Sequence, residues 1–492
     1  MFKKFLIAGI LFAICTAIGT SHVAPCLARS DIITGESSRN MVATVHPLAT
    51  DAGVMVLREG GNAVDAAIAA GLTLSVVDGF NSGIGGGCFV LIRTADGETI
   101  AIDGREIAPK AAHRDMYLVN GKPDTTLSQI GPLAIGVPGA LKAYEQAVRE
   151  HGKTKFSDLI ADAAKIAADG FEVNQVYSQN LKSAKIHLQY YPGSRAALLK
   201  DDGSVYQPGE ILRQPDLAHT YRQIAQHGVD WFYRGEFARR CAEWLQANGG
   251  VITAHDFKNY TTVRREPIKT TYRGYTVYGF PPPSSGGVHV AQILNILEQF
   301  DLKSLYEQDR TKFVHVVTEA MKLAFADRAY WLGDPDFAKV PRGLIDKKYA
   351  AALAANIDMN RVTTVDSYRT PPRADAEFFE RHTTHIAAAD AAGNWVAITT
   401  TVNTTFGSKV IVPGLGVVMN NQMDDFSIAP GTPNAFGLIG NEANSVQPGK
   451  RPLSSMSPTI ILREGNPIMT VGAAGGPKII TQALLAIIRR ID

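Results

Sequence analysis

The stretch from Thr383 to Asn403 constrains this chain more than any other. Two runs of strand-forming residues, Thr383-Thr384-His385-Ile386-Ala387-Ala388-Ala389 and Trp395-Val396-Ala397-Ile398-Thr399-Thr400-Thr401, flank the turn Asp390-Ala391-Ala392-Gly393-Asn394. This pattern predicts a β-hairpin. Pairing Ala389 with Trp395 across the turn fixes the register, since antiparallel partners step in opposite directions along the two strands. Thr383 then lies opposite Thr401 on the same face. Opposed Cβ atoms sit about 4.5–5.5 Å apart, close enough for hydroxyl contact, and Asn403 is expected to point the same way two residues on. Threonine runs in strands are ordinarily β-propensity alone, so the convergence gains meaning only from the rest of the sequence.

The frame around the hairpin is globular. The chain has 492 residues, 45% of them hydrophobic, and 49 Lys plus Arg against 47 Asp plus Glu. At roughly 100–200 residues per domain this allows several domains or one large composite fold. A net charge of +2 without basic blocks argues against a nucleic-acid surface, which needs clustered Lys and Arg.

Residues 1–28 read as a secretory signal peptide: Lys3 and Lys4, an apolar stretch from Phe5 to Ile18, then a small and polar region ending at Cys26-Leu27-Ala28. The apolar stretch falls short of the roughly 20 residues a bilayer span needs, so a secreted location, periplasmic or extracellular, is expected, without a stable membrane span. Pro25 stands where a lipoprotein would carry a small residue. Cleavage after Ala28 takes the formal charge from +2 to 0 and leaves two of the four cysteines, Cys88 and Cys241. Spacing does not decide whether these pair or stay as buried thiols.

Val42 to Val77 carries helical periodicity and many small residues, reads as a packed helix, and feeds Gly83-Ile84-Gly85-Gly86-Gly87-Cys88 ahead of a strand. A dinucleotide fingerprint fails here, because Cys88 occupies the required third glycine position and the run precedes its strand. A tight, closely packed turn is expected instead. Leu133 to Ala350 reads as helix-rich, with Phe313 to Tyr330 amphipathic, broken by an irregular loop at Pro281-Pro282-Pro283-Ser284-Ser285-Gly286-Gly287. Residues 366–381 are polar and read as an exposed segment or linker.

Five motifs then occur in order: Asp103-Gly104-Arg105-Glu106-Ile107-Ala108-Pro109, Thr383-Thr384-His385, Asn420-Asn421-Gln422-Met423-Asp424-Asp425-Phe426-Ser427, Arg451 to Thr459, and Gly472-Ala473-Ala474-Gly475-Gly476. With them the chain resembles the γ-glutamyltranspeptidases, members of the N-terminal nucleophile hydrolases, from about Met41 to its last residue. The resemblance implies a four-layer αββα sandwich made as one precursor. It also implies self-cleavage between His382 and Thr383 into a large subunit, 29–382, and a small catalytic subunit, 383–492, which form one composite fold.

By that resemblance Thr383 is the nucleophile, Thr401 its hydrogen-bonding partner, and Gly475 and Gly476 the oxyanion hole. Arg105 clamps the substrate α-carboxylate, Asp425 holds the α-ammonium, and Asn403, Gln422, Ser454 and Ser455 complete the pocket. Glutathione or another γ-glutamyl compound is the implied donor, and water or an amino acid or peptide the acceptor; no cofactor or metal is implied. The chemistry is coherent. A threonine hydroxyl is a weak nucleophile, and an N-terminal threonine brings its own base in its α-amino group, with an ordinary pKa of about 7.7–8.0. Before cleavage that nitrogen is an amide and cannot accept a proton.

Other chemistries fit less well. No G-x-S-x-G elbow and no S-x-x-K with K-T-G occurs, and His382 and His385 form an H-x-x-H without a third ligand nearby. A secreted solute-binding protein would suit length and charge but not the threonine site. Within the same fold, β-lactam (cephalosporin or glutaryl) acylases are the serious alternative. Retention of Arg105, Asp425 and Ser454-Ser455 favours a γ-glutamyl substrate over a glutaryl side chain without an ammonium.

Three features depart from the family pattern. Phe436, in the lid-like segment Pro430 to Phe436, stands where a tyrosine is common, so closure by apolar packing is expected. Pro477 and Lys478 follow the glycine pair in place of serine and arginine. The small subunit is expected to be truncated at its C-terminus, as a truncated gene product, an incomplete sequence or a degenerate member, with an exposed sheet edge or uncovered core.

Overall fold

The computed structural model describes residues 36, 37, 39–364, 383–429 and 431–492. The predicted signal peptide, the 366–381 segment and His382 lie outside them. The described residues from 39 onward form one compact unit.

Two antiparallel sheets dominate. The larger comprises β1 (Met41–Ala43), β2 (Gly87–Arg93), β3 (Thr99–Gly104), β4 (Val263–Arg265), β7 (Thr384–Ala389) and β8 (Trp395–Thr401). The smaller comprises β5 (Ile268–Tyr272), β6 (Tyr275–Gly279), β9 (Thr459–Arg463) and β10 (Asn466–Val471). Their spatial orders are β1-β7-β8-β2-β3-β4 and β10-β9-β6-β5. The helices used below are α1 (Pro47–Arg58), α2 (Ala63–Val77), α3 (Ala140–His151), α4 (Phe156–Asp169), α5 (Gly286–Leu297), α6 (Arg310–Trp331) and α7 (Lys478–Ile491).

Strand alternation sorts the cores into layers. Cys88, Val90 and Ile92 of β2, with Val396 and Ile398 of β8, pack with α2, α3 and α4 in one cluster. The intervening Phe89, Leu91 and Ala397 join Phe280, Ile460 and Leu462 between the sheets. Val277 and Ile461 of the second sheet pack with α5, α6 and α7. The order is helices, sheet, sheet, helices, the expected αββα sandwich, and the several-domain option gives way to one composite fold.

The Val42–Val77 stretch is two helices rather than one. Gly60 takes φ 98°, and Asn62 starts α2 through a capping box with Asp65, a signal readable in the sequence. The glycine run is the expected tight turn: a Cβ on Gly85 would lie 2.1 Å from the Val418 carbonyl oxygen, and one on Gly86 2.0 Å from that of Thr401. Cys88 and Cys241 are buried free thiols. β10 is an edge strand whose side chains from Pro467 to Val471 are half-buried, and among the described residues no helix is long and apolar enough to cross a membrane.

Candidate active site

The hairpin forms in the predicted register, with Ala389 opposite Trp395 and Thr384 opposite Thr400. One step further, the Thr383 and Thr401 hydroxyl oxygens are 3.4 Å apart. Both are buried. They occupy the face turned toward the second sheet, along with His385, whose Nδ1 is 3.0 Å from the Thr399 hydroxyl. Burial pushes the His385 imidazole down to about 4, so it stays neutral.

Asn403 reaches the site differently from the expectation. It does not continue the strand: its φ is 84°, a left-handed turn that asparagine tolerates. The turn aims its backbone N–H back at the Thr401 hydroxyl, 2.9 Å away, and its side chain donates to the Asn421 carbonyl at 3.0 Å.

One cleft collects the predicted residues. Thr383, Thr401, Asn403, Arg105, Gln422, Asp425, Ser454, Ser455 and Gly476 all line it, and Gly475 adjoins Gly476. Two roomier surface grooves, about 370 and 600 Å³ in volume, run along residues 265–269 and 342–347 and contain none of them.

Arg105 is fully buried. Its Nε donates to the Pro452 carbonyl at 3.0 Å, and its Nη2 meets Asp425 Oδ2 at 2.5 Å and the Leu453 carbonyl at 3.3 Å. Its Nη1 has no hydrogen-bond partner and lies 3.6 Å from Glu106. Burial pushes the Glu106 carboxyl up to about 8, against the pull of Arg105. Burial likewise raises Asp425, again opposed by Arg105. The Gln422 amide is buried with neither its oxygen nor its nitrogen hydrogen-bonded. A guanidinium N–H and a whole carboxamide are thus presented in a cleft, and unsatisfied buried polar groups are costly.

Gln422 to Asp425 form one 3₁₀ turn that aims its two acids apart. Asp425 faces the cleft, while Asp424 accepts from Ser128 Oγ at 2.7 Å and from the Ala435 N–H at 2.8 Å. The pair is therefore buried structure. Asp424 holds the lid segment, and Asn434 Nδ2 adds a bond to Asp425 Oδ1 at 3.3 Å. Phe436 closes against the glycine pair: a Cβ on Gly476 would lie 2.6 Å from its ring.

Gly475 and Gly476 have φ of 119° and 56°. They lead through Pro477 directly into α7, so both amides sit at the N-terminal, electropositive end of a 14-residue helix. The Pro281–Gly287 loop, read as structural, supports the site: Ser285 Oγ and N–H both donate to the Ser454 carbonyl at 2.8 Å.

Sequence reasoning passed over Arg328. It lies on α6, is buried, and donates to Ser285 Oγ at 3.2 Å and Ser455 Oγ at 3.3 Å. The signal was present in Asp327-Arg328, two charges on the buried side of that helix.

A threonine pair at the mouth of a hairpin, inside an αββα sandwich and lining one cleft with Gly476 at a helix N-terminus, defines an N-terminal nucleophile hydrolase. The chain belongs to the γ-glutamyltranspeptidase family, whose pattern it matches over residues 49–492. It is 42% identical over 496 residues to a glutathione hydrolase proenzyme of Escherichia coli (strain K12), covering 100% of this chain and 85% of that protein. Its fold is similar to a cephalosporin acylase from Bacillus halodurans, with TM-score 0.80, 28% identity, and 94% and 83% of the two chains covered. It is also similar to the γ-glutamyltranspeptidase of Helicobacter pylori, with TM-score 0.67, 37% identity, and 70% and 100% covered.

Proposed function

We propose that this enzyme takes the γ-glutamyl group from glutathione or a related γ-glutamyl amide and passes it to water or an amine. The carrying observation is the Arg105–Asp425 pair in the cleft. A γ-glutamyl group is a zwitterion at its α-carbon. Its carboxylate can take Arg105 and its ammonium Asp425, so one buried ion pair is exchanged for two and no charge is orphaned. A glutaryl group would take Arg105 and leave Asp425 without a cation, which is costly in a buried site.

The proposed chemistry begins in the precursor. The Thr383 hydroxyl attacks the His382 carbonyl, the peptide C–N bond breaks with the proton passing to nitrogen, and water hydrolyses the resulting ester to free the α-amine. In turnover that amine accepts the hydroxyl proton as Thr383 Oγ attacks the γ-carbonyl, then returns it to the departing amine. The Gly475 and Gly476 amides face the developing oxyanion, and Thr401 orients the nucleophile. Water or an acceptor amine resolves the γ-glutamyl ester.

The sequence of residues 1–28 supports export to the periplasm or outside the cell. Mass spectrometry of the purified protein reads that cut and the one at His382–Thr383 together. Thr383→Ala should remain one uncut and inactive chain; two bands on a denaturing gel would refute this nucleophile. The acylase reading is favoured by the likeness to a cephalosporin acylase. Faster turnover of a glutaryl anilide than of its γ-glutamyl counterpart would establish it.

A further inference from the structure

The reaction described above makes no use of a carboxylate that stands behind the nucleophile. Asp78 follows the last residue of α2 and is 4% exposed. Burial and the negative end of the helix dipole both penalise a charge there, and burial pushes the carboxyl up to about 7 against the pull of its two side-chain hydrogen bonds. Those bonds are specific. Asp78 Oδ1 accepts from Asn81 Nδ2 at 2.8 Å, and Oδ2 accepts from the Thr384 hydroxyl.

The same turn grips the partner strand. The Asn81 carbonyl accepts from the Val402 N–H at 2.9 Å, and the Phe80 carbonyl accepts from the Phe406 N–H at 2.9 Å. Thr384 immediately follows Thr383, and Val402 immediately follows Thr401. Because side chains alternate across a strand, Thr384 faces the helix layer while Thr383 faces the second sheet. The turn therefore holds each strand at the residue beside its reacting threonine, with Thr384 gripped from behind. The hairpin ladder ends at Thr384 opposite Thr400, one position short of the reacting pair.

We propose that Asp78 is a positioning residue for the nucleophile. Through Thr384 on one strand, and through Asn81 and the backbone of Val402 on the other, it sets the approach of Thr383 to Thr401 in self-cleavage and in turnover. The proposal rests on Thr383 being the nucleophile, but not on the choice of substrate. A mere helix cap would contribute to stability without touching the chemical step.

The test uses the full-length chain. Thr384→Val removes the hydroxyl at nearly constant shape, Thr384→Ser restores it, and Asp78→Ala removes the acceptor. The readouts are the rate at which two chains appear, kcat and KM for a γ-glutamyl anilide, and the thermal midpoint. Thr384→Val should slow self-cleavage and lower kcat by about tenfold or more, the effect of a small misplacement of reacting atoms. Its KM should stay within about twofold of the parent's. Thr384→Ser should return both rates, and the Asp78→Ala/Thr384→Val double variant should lose no more than the worse single one, since both cut the same contact. Parental rates in Thr384→Val, no rescue by serine, or additive losses would each overturn the proposal. If Asp78→Ala does not fold, the two Thr384 variants decide alone. A parent chain that matures yet ignores γ-glutamyl anilides would sink the substrate reading and leave this one standing.

Discussion

Replacing Arg105 with lysine separates charge from geometry in the cleft. The positive charge remains, so Asp425 keeps a cation nearby and avoids the roughly 3–5 kcal/mol that an orphaned buried charge costs. The planar fork is lost. Arg105 serves the Pro452 carbonyl through Nε while Nη2 meets Asp425 and the Leu453 carbonyl, and one ammonium nitrogen cannot occupy both places. Each carbonyl left without a donor costs about 1–3 kcal/mol of stability. For substrate, the lysine retains one of the two charge-assisted hydrogen bonds that a guanidinium offers a carboxylate. Losing a bond worth about 1.5–3 kcal/mol lowers kcat/KM by roughly ten- to 150-fold, mainly through KM if the bond is equally strong in ground and transition states. Self-cleavage should proceed, because it involves no α-carboxylate. The assay pairs a gel for maturation with initial rates on a γ-glutamyl anilide and on the 4-aminobutyryl anilide, which lacks the carboxylate. The loss should be confined to the former. An unchanged kcat/KM on the γ-glutamyl compound, or equal losses on both, would refute the clamp.

Three further outcomes concern the cleft and the residues packed behind it. Glu106 has its carboxyl raised from 4.5 to about 8, so the native state holds a proton that the unfolded chain releases. That contribution is complete below 4.5 and is lost as pH rises through 8. Glu106→Gln should flatten the fall in denaturation midpoint across that window, and an unchanged slope would place the titration elsewhere. Gly86→Ala should cost at least about 3 kcal/mol or abolish maturation, since its Cβ would fall 2.0 Å from the Thr401 carbonyl oxygen; urea titration of the soluble chain reads this, and a stable, mature Gly86→Ala would contradict the packing. Phe436→Ala removes the ring that covers Gly476. It should raise the share of hydrolysis over transfer by a few-fold in a product assay with an amine acceptor, as the site becomes wetter; an unchanged share would mean the ring does not shield the intermediate.

What could be read from the sequence was whatever a short period or a sharp local rule governs. The hairpin register follows from a five-residue turn and a period of two, so the meeting of Thr383 with Thr401 was legible before any fold was known. The split between α1 and α2 was legible too, in Gly60 and the Asn62–Asp65 box, and was missed because small residues carry the helical pattern through it. Asn403 was placed by the wrong rule. Strand alternation was extended past the point where a left-handed residue ends the strand. The contacts that complete the cleft obey no local rule: Arg328 meets Ser455 across 127 positions and Arg105 meets Asp425 across 320.

The same alternation that made the reacting pair legible also limits what can hold it. On a β-strand a nucleophile and its chain neighbour cannot share a face, so the groups that touch substrate and the group that braces Thr383 must come from opposite layers. Arg105, Asp425 and the glycine pair approach from the side of the second sheet, whereas the Asp78 turn approaches from the helix layer. A variant of the two groups on the first side that hold the substrate α-carbon, Arg105 or Asp425, should change KM or the substrate preferred. One on the second should change kcat and maturation together and leave preference alone. The two classes are therefore separable by kinetics even where both lose activity, which distinguishes a brace from a binding group without a structure of either variant.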